Sequence, residues 1–194
     1  NTIIGHANGW ADNASCSVRW WNQRDECDYG AGFLFMLFLA DNLGGGSAIQ
    51  QLVADTRTGG NGIVHLAQTL GPGSTPIGTT MSDIFANFTA SVVLDHSSQS
   101  EFGLDNIDMY EICGGGQFCR LQLSGSNLNW GGGLWQATGM AIEGWGVHAF
   151  RFLDGTGSPL NLKVQPTELG FSGSILKREA ANMPYGDAVE LSDH

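Results

Sequence analysis

A chain of 194 residues with 42% hydrophobic content can bury one sizeable core or two small ones unaided. Its 29 glycines come without a G-X-Y period or a long polar tract, which excludes collagen and a disordered chain and assigns them to turns, caps and tight loops. Nineteen acids against eight bases give a net charge of -11, which argues against a nucleic-acid or anionic-membrane partner, because such partners need clustered Lys and Arg.

The first thirty residues hold Trp10, Trp20, Trp21 and two cysteines with no clean period of 2 or 3.6, so they read as a stapled loop region. From Asp28 the text changes. DYGAGFLFMLFLADNLGGG is apolar on all sides and closes on three glycines, which predicts a buried helix over about 30–42 with a glycine cap at Gly44. Phe33, Phe35, Leu37, Phe38 and Leu39 cannot share one side of a helix, so cover nearly all round is expected. The longest apolar run, residues 33–40, is eight long, whereas a bilayer span takes about 20, and no transmembrane segment is expected.

Ser47 is expected to cap a second helix with Ile49, Leu52 and Val53 on its apolar side, ending at Gly59-Gly60. Asn61 is placed to cap a third, with Ile63, Leu66, Ala67 and Leu70 on one face, closed by Gly71-Pro72. A fourth starts near Thr80, ends near Asp95-His96 and buries Ile84, Phe85, Phe88, Val92 and Leu94. After about residue 100 the helical period gives way to short runs at 109–112, 120–123, 146–153, 160–164 and 172–177, which read as strands, with DGTGSP as a hairpin turn. In the run 146–153, Val147, Ala149 and Arg151 alternate with His148, Phe150 and Phe152. The expected fold is α+β: a mainly helical subdomain at 1–100, then a β-rich, antiparallel subdomain at 101–194, as separate units or one compact body.

Four cysteines fall into two close pairs, which favours Cys16 with Cys27 and Cys113 with Cys119 among three connectivities. Zinc is the alternative, although its C-x2-C and C-x4-C knuckles differ from the spacings of ten and five residues here. Disulfides place the chain outside the cytoplasm, extracellular or on a cell surface. The absence of an initiator Met and of a signal peptide reads as a processed piece of a longer precursor. Asn13-Ala14-Ser15 and Asn87-Phe88-Thr89 are glycosylation sequons.

Sites for chemistry are sparse in the text. Gly170-Phe171-Ser172-Gly173-Ser174 fails the G-x-S-x-G nucleophile elbow at its last position, which leaves Ser172 as a strand residue. Gly44-Gly45-Gly46 and Gly114-Gly115-Gly116 lack the Lys-Ser/Thr or βαβ context of a phosphate loop. His6, His65, His96, His148 and His194 are scattered, and no H-E-x-x-H puts two imidazoles one turn apart. Hydrogen-bonded or packed histidines are the expectation for His65 and His148. Acidic loops offer calcium ligands in Asp12, Asp25, Glu26 and Asp28, and in Asp105 and Asp108, though solvated surface charge is the plainer reading. Trp130, Trp135 and Trp145 stand among glycines in NWGGGLWQATGMAIEGWG, where they form either a contact surface or core and turn packing.

YGAGFLFMLFLADNLGGGSAIQQLVADTRTGGNGI followed by TTMSDIFANFTASVVLD resembles the part of secreted zinc metallopeptidases of the hyicolysin and immune-inhibitor-A type that follows their active site. In that family a YGA-x-x-LF-x-x-YL-x-D-x-x-GG helix leads to a helix with a Gly-rich exit, then a helix of the form F-x-x-IF-x-x-F/W-x-x-A and a β segment. The likeness covers residues 29–95, with a weaker one in GWGVHAFRF up to 153. The family's H-E-x-x-H and third zinc ligand lie upstream of this region, and nothing in residues 1–28 matches them, so the resemblance carries over no catalytic residue. It implies either the downstream part of a longer zinc enzyme or a scaffold of that descent with a binding or structural role. The expectation is a non-catalytic extracellular module that binds itself or another extracellular protein, as a surface or fibre subunit would.

Overall fold

The computed structural model describes residues 3–18, 25–70, 77–94, 125–129, 145–153, 172–175 and 189–192. Within them five helices precede four short strands, a mostly helical α+β arrangement. The first helix, α1 (Ile3–Asp12), corrects the expectation of a loop there. Its buried residues, Ala7, Trp10 and Ala11, stand at i, i+3 and i+4, a stripe too short and too diluted by Gly5 and Gly9 to register as a period. Ten residues are marginal as an isolated helix, so α1 depends on packing against the next one.

That helix, α2 (Asp25–Leu43), starts five residues before the expected Gly30 and ends where the glycines predict. Gly44 takes φ 103°, and the Gly45 N–H donates to the Ala40 carbonyl at 2.6 Å, the six-to-one bond of a Schellman ending. Where α1 crosses α2, a Cβ on Gly30 would overlap the His6 carbonyl oxygen and stand 2.9 Å from Trp10 Cβ. Glycine there is what lets the two backbones meet. The disulfide Cys16–Cys27, with Cα atoms 6.5 Å apart, closes the connection between the two helices. Cover of α2 is graded rather than all round: Ala31, Leu34, Phe35, Phe38 and Leu39 are buried, while Phe33, Met36 and Leu37 pack only partly against the core.

The next helix, α3 (Gly46–Ala54), takes its N-cap from Gly45, not Ser47. The Ser47 hydroxyl instead donates back to the Gly44 carbonyl at 2.8 Å, because the Schellman turn has already moved the chain into the helix. Ala48 is its buried residue and Ile49 and Leu52 are half-buried, whereas Val53, expected inside, is 79% exposed. Helix α4 (Gly60–Leu70) begins one residue before Asn61, which lies exposed in its first turn. Leu66 and Ala67 are buried, with Ile63 and Leu70 half-buried beside them, as the spacing predicts.

Helix α5 (Met81–Leu94) opens on a reciprocal cap. Asp83 N–H donates to Thr80 Oγ1 at 3.2 Å, and Thr80 N–H donates to Asp83 Oδ2 at 3.0 Å, a capping box with Asp in the place of Glu. Partial burial pushes the Asp83 carboxyl up, but hydrogen bonds from Thr80 and Thr79 outweigh it and hold the group below the usual carboxylate range. Phe88 of α5 is the hub of the core. Its ring centroid lies 5.1 Å from Phe35 edge-on, 5.6 Å from Trp10, 5.8 Å from Phe38 and 5.9 Å from Phe85.

Four strands follow. β1 (Gly125–Asn129) pairs in parallel with β2 (Ala149–Leu153), Gly125 opposite Ala149 and Asn129 opposite Leu153. β3 (Ser172–Ile175) pairs antiparallel with β4 (Val189–Ser192), and β3 also contacts α5. The expected antiparallel β segment is therefore half corrected. Residues 130–148 separate β1 from β2, enough chain for the crossover that parallel neighbours need. β2 and β3 fall inside the predicted runs, and Ser172 opens β3 as a strand residue. β1 and β4 were not predicted: GSNLN has little intrinsic strand preference and pairs through β2. The runs at 109–112, 120–123 and 160–164 and the DGTGSP turn lie outside the described residues.

Candidate functional site

Among the described residues the disulfide loop and the chain entering β2 meet at a junction. Val18 N–H donates to the Trp145 carbonyl at 3.3 Å, and Val147 N–H donates to the Ala14 carbonyl at 2.7 Å. These two bonds fasten the chain entering β2 to the loop that carries Cys16. Cys16 is fully buried and Cys27 nearly so, so the loop is itself anchored in the core. Trp145 takes φ 68°, a left-handed conformation that costs a bulky residue free energy and persists only where the surroundings over-determine it. Here both backbone bonds do so, together with the Trp145 ring, edge-on to Phe85 at 5.4 Å.

Anchoring sets the faces of the following residues. Val147 and Ala149 pack against the core. On alternate positions His148 and Phe150 lie together, ring centroids 4.7 Å apart, and Phe150 is 39% exposed. From Val147 to Phe150 the alternation legible in the sequence separates the two faces. Burial pushes the His148 imidazole below its ordinary range, which favours the neutral form. Its Nε2 stands 3.5 Å from Ser126 Oγ on the neighbouring strand, at the limit of a hydrogen bond. A hydroxyl beside a neutral imidazole is half of a nucleophile arrangement. A working one also needs an orienting partner for the imidazole and donors for an oxyanion. Sequence reasoning missed this pair because a parallel crossover brings together residues 22 apart, and such a separation carries no spacing signal.

Trp130, Trp135, Cys113, Cys119, His96, His194, Asp105 and Asp108 lie outside the described residues. Asp12 is exposed at the end of α1, whereas Asp28 is buried on α2. Among the described residues no group of three His, Cys, Asp or Glu side chains converges as metal ligands would. His6 lies on α1 with its ring 5.4 Å from that of Tyr29. His65 lines an open cleft of about 560 Å³ beside α4 with Thr56, Arg57, Asn61 and Gln68. The Arg57 guanidinium there is clasped by both oxygens of Asp55, at 3.0 and 2.9 Å. The Arg57 backbone N–H bond, with this side-chain pairing, holds Asp55 below the usual carboxylate range. The cleft thus offers a locally neutralised wall rather than a free cation.

No family model, curated protein or solved structure matches the chain. No single helix among the described residues is long and apolar enough to cross a membrane.

Proposed function

We propose that the chain is a non-catalytic extracellular module of metallopeptidase-like descent that acts by self-association, as a subunit of a surface or fibre assembly. The observation that carries this reading is the anchored strand β2, which presents the exposed Phe150 on a two-stranded parallel sheet. Parallel strands are ordinarily covered on both faces. Among the described residues β1 and β2 pair with each other, and strand addition is one way in which two chains associate. A second copy is the occupant argued for, since symmetric homo-oligomers are the commonest assemblies. The buried Cys16–Cys27 disulfide supports an oxidising, extracellular setting.

Descent from, or membership of, a secreted zinc metallopeptidase rests on the sequence motifs over residues 29–95 that carry the resemblance. The alternative, that the chain is the C-terminal portion of an active zinc peptidase, draws on the same observation. The two separate in one set of assays. Light scattering of the purified chain at micromolar concentration should give a mass above that of one copy, with no caseinase activity and no stoichiometric zinc. A monomer, joined by zinc-dependent caseinase activity in a longer precursor, would favour the enzyme.

A further inference from the structure

Two sequons are present, and the fold treats their asparagines differently. Asn13 is exposed in the turn that follows α1 and leads to the buried Cys16. The Ser15 hydroxyl donates to Asn13 Oδ1 at 2.8 Å, so the oxygen end of the amide is engaged locally. The Asn13 carbonyl oxygen lies 3.2 Å from Cys16 Sγ and 3.1 Å from Cys27 Sγ, so the turn rests on the disulfide. Asn87 belongs to α5, and its Nδ2, the atom a glycan would occupy, donates to the carbonyl of the buried Ile77 at 3.1 Å. Its sequon neighbour Phe88 is fully buried at the hub of the core.

We propose that Asn13 is the N-glycan acceptor of this chain and that Asn87 is not carried in glycosylated form by the folded molecule; this inference rests on the extracellular reading above. The donor is an oligosaccharide held on a lipid pyrophosphate, with a membrane transferase as catalyst. Nδ2 of Asn13 forms the bond to the anomeric carbon as the bond from that carbon to the pyrophosphate oxygen breaks. The lipid pyrophosphate leaves with the electron pair, and the lost amide proton passes to a base of the transferase. Transfer acts on the nascent chain, so the fold selects by what it tolerates afterwards. A sugar at Asn13 extends from an exposed residue. A sugar at Asn87 would have to leave a half-buried amide seated beside Ile77 and would compete with the docking of the segment that precedes α5.

The full chain secreted from a eukaryotic host, treated with a glycoamidase in heavy-oxygen water and mapped by mass spectrometry, tests this. The label is expected at position 13 in most molecules and at position 87 in few or none. Ser15→Ala should abolish it, and Thr89→Ala should leave it unchanged; should Ser15→Ala fail to be secreted, Asn13→Gln serves in its place. No label at position 13, or equal labelling at position 87 in folded protein, overturns the proposal. An unglycosylated chain that still assembles defeats this inference alone, whereas a glycosylated strict monomer defeats only the assembly reading.

Discussion

The helical body and the strand segments are held by different means. In the body, α1, α2 and α5 converge on Phe88, and each helix satisfies its own backbone, so stability comes from interlocked aromatic side chains and one disulfide. The strand pair β1–β2 satisfies its backbone through a neighbouring strand and is tied to the body by two backbone bonds, the Trp145 ring and the packing of Val147 and Ala149. A helix needs a face covered, whereas a strand needs an edge partner as well. The body is thus held by side-chain packing and the strands by backbone pairing.

Removing the hub should break the body outright. Phe88→Ala is expected to cost about 3–5 kcal/mol, read as a fall in the denaturation midpoint with unchanged slope. Cutting the covalent clip comes next: a Cys16→Ser, Cys27→Ser double variant should lose about 2–3 kcal/mol, as expected for a short closed loop, measured by urea titration. Gly30→Ala pushes a methyl into the His6 carbonyl and should cost about 1–3 kcal/mol through overpacking; a stability equal to wild type would show that the helices have room to separate.

Smaller effects lie at the periphery. Thr80→Ala removes one side of the capping box and should cost about 1 kcal/mol. The pH response has a definite sign. Asp83 sits below its unfolded value of 3.8, so its contribution is present above that value and is lost as pH falls through the lower folded value. His148 sits below 6.5, so the unfolded chain binds more protons just under that pH and stability declines on acidification. Thermal melts of wild type and His148→Gln between pH 7 and 5 should show a shallower decline for the variant, and parallel curves would place the sensitivity elsewhere.

Legibility in the sequence followed the strength of local signals. α2 and its ending were readable because a long apolar run and a glycine triplet agree, and α5 because its buried residues recur over 14 residues. α1 was hidden because only three of its ten residues are buried and its stability is tertiary. Ser47 is not the cap, because the preceding Schellman turn already supplies Gly45 in that place. The parallel pairing of β1 with β2, and with it the Ser126–His148 contact, depends on a crossover that no local pattern encodes. Cys16 with Cys27 was readable from proximity in the chain. The left-handed Trp145 was not, since two bonds from a distant loop impose it.

The central claim is that β2 and Phe150 form a surface on which a second copy pairs. Sedimentation velocity over a series of micromolar concentrations, run on wild type and Phe150→Asp, tests it most directly, because Phe150 is exposed and its replacement leaves the Phe88 hub intact. The account predicts a concentration-dependent oligomer for wild type and a shift toward monomer for Phe150→Asp with the helical content retained. A wild type that stays monomeric throughout, or an oligomer indifferent to the substitution, would contradict it.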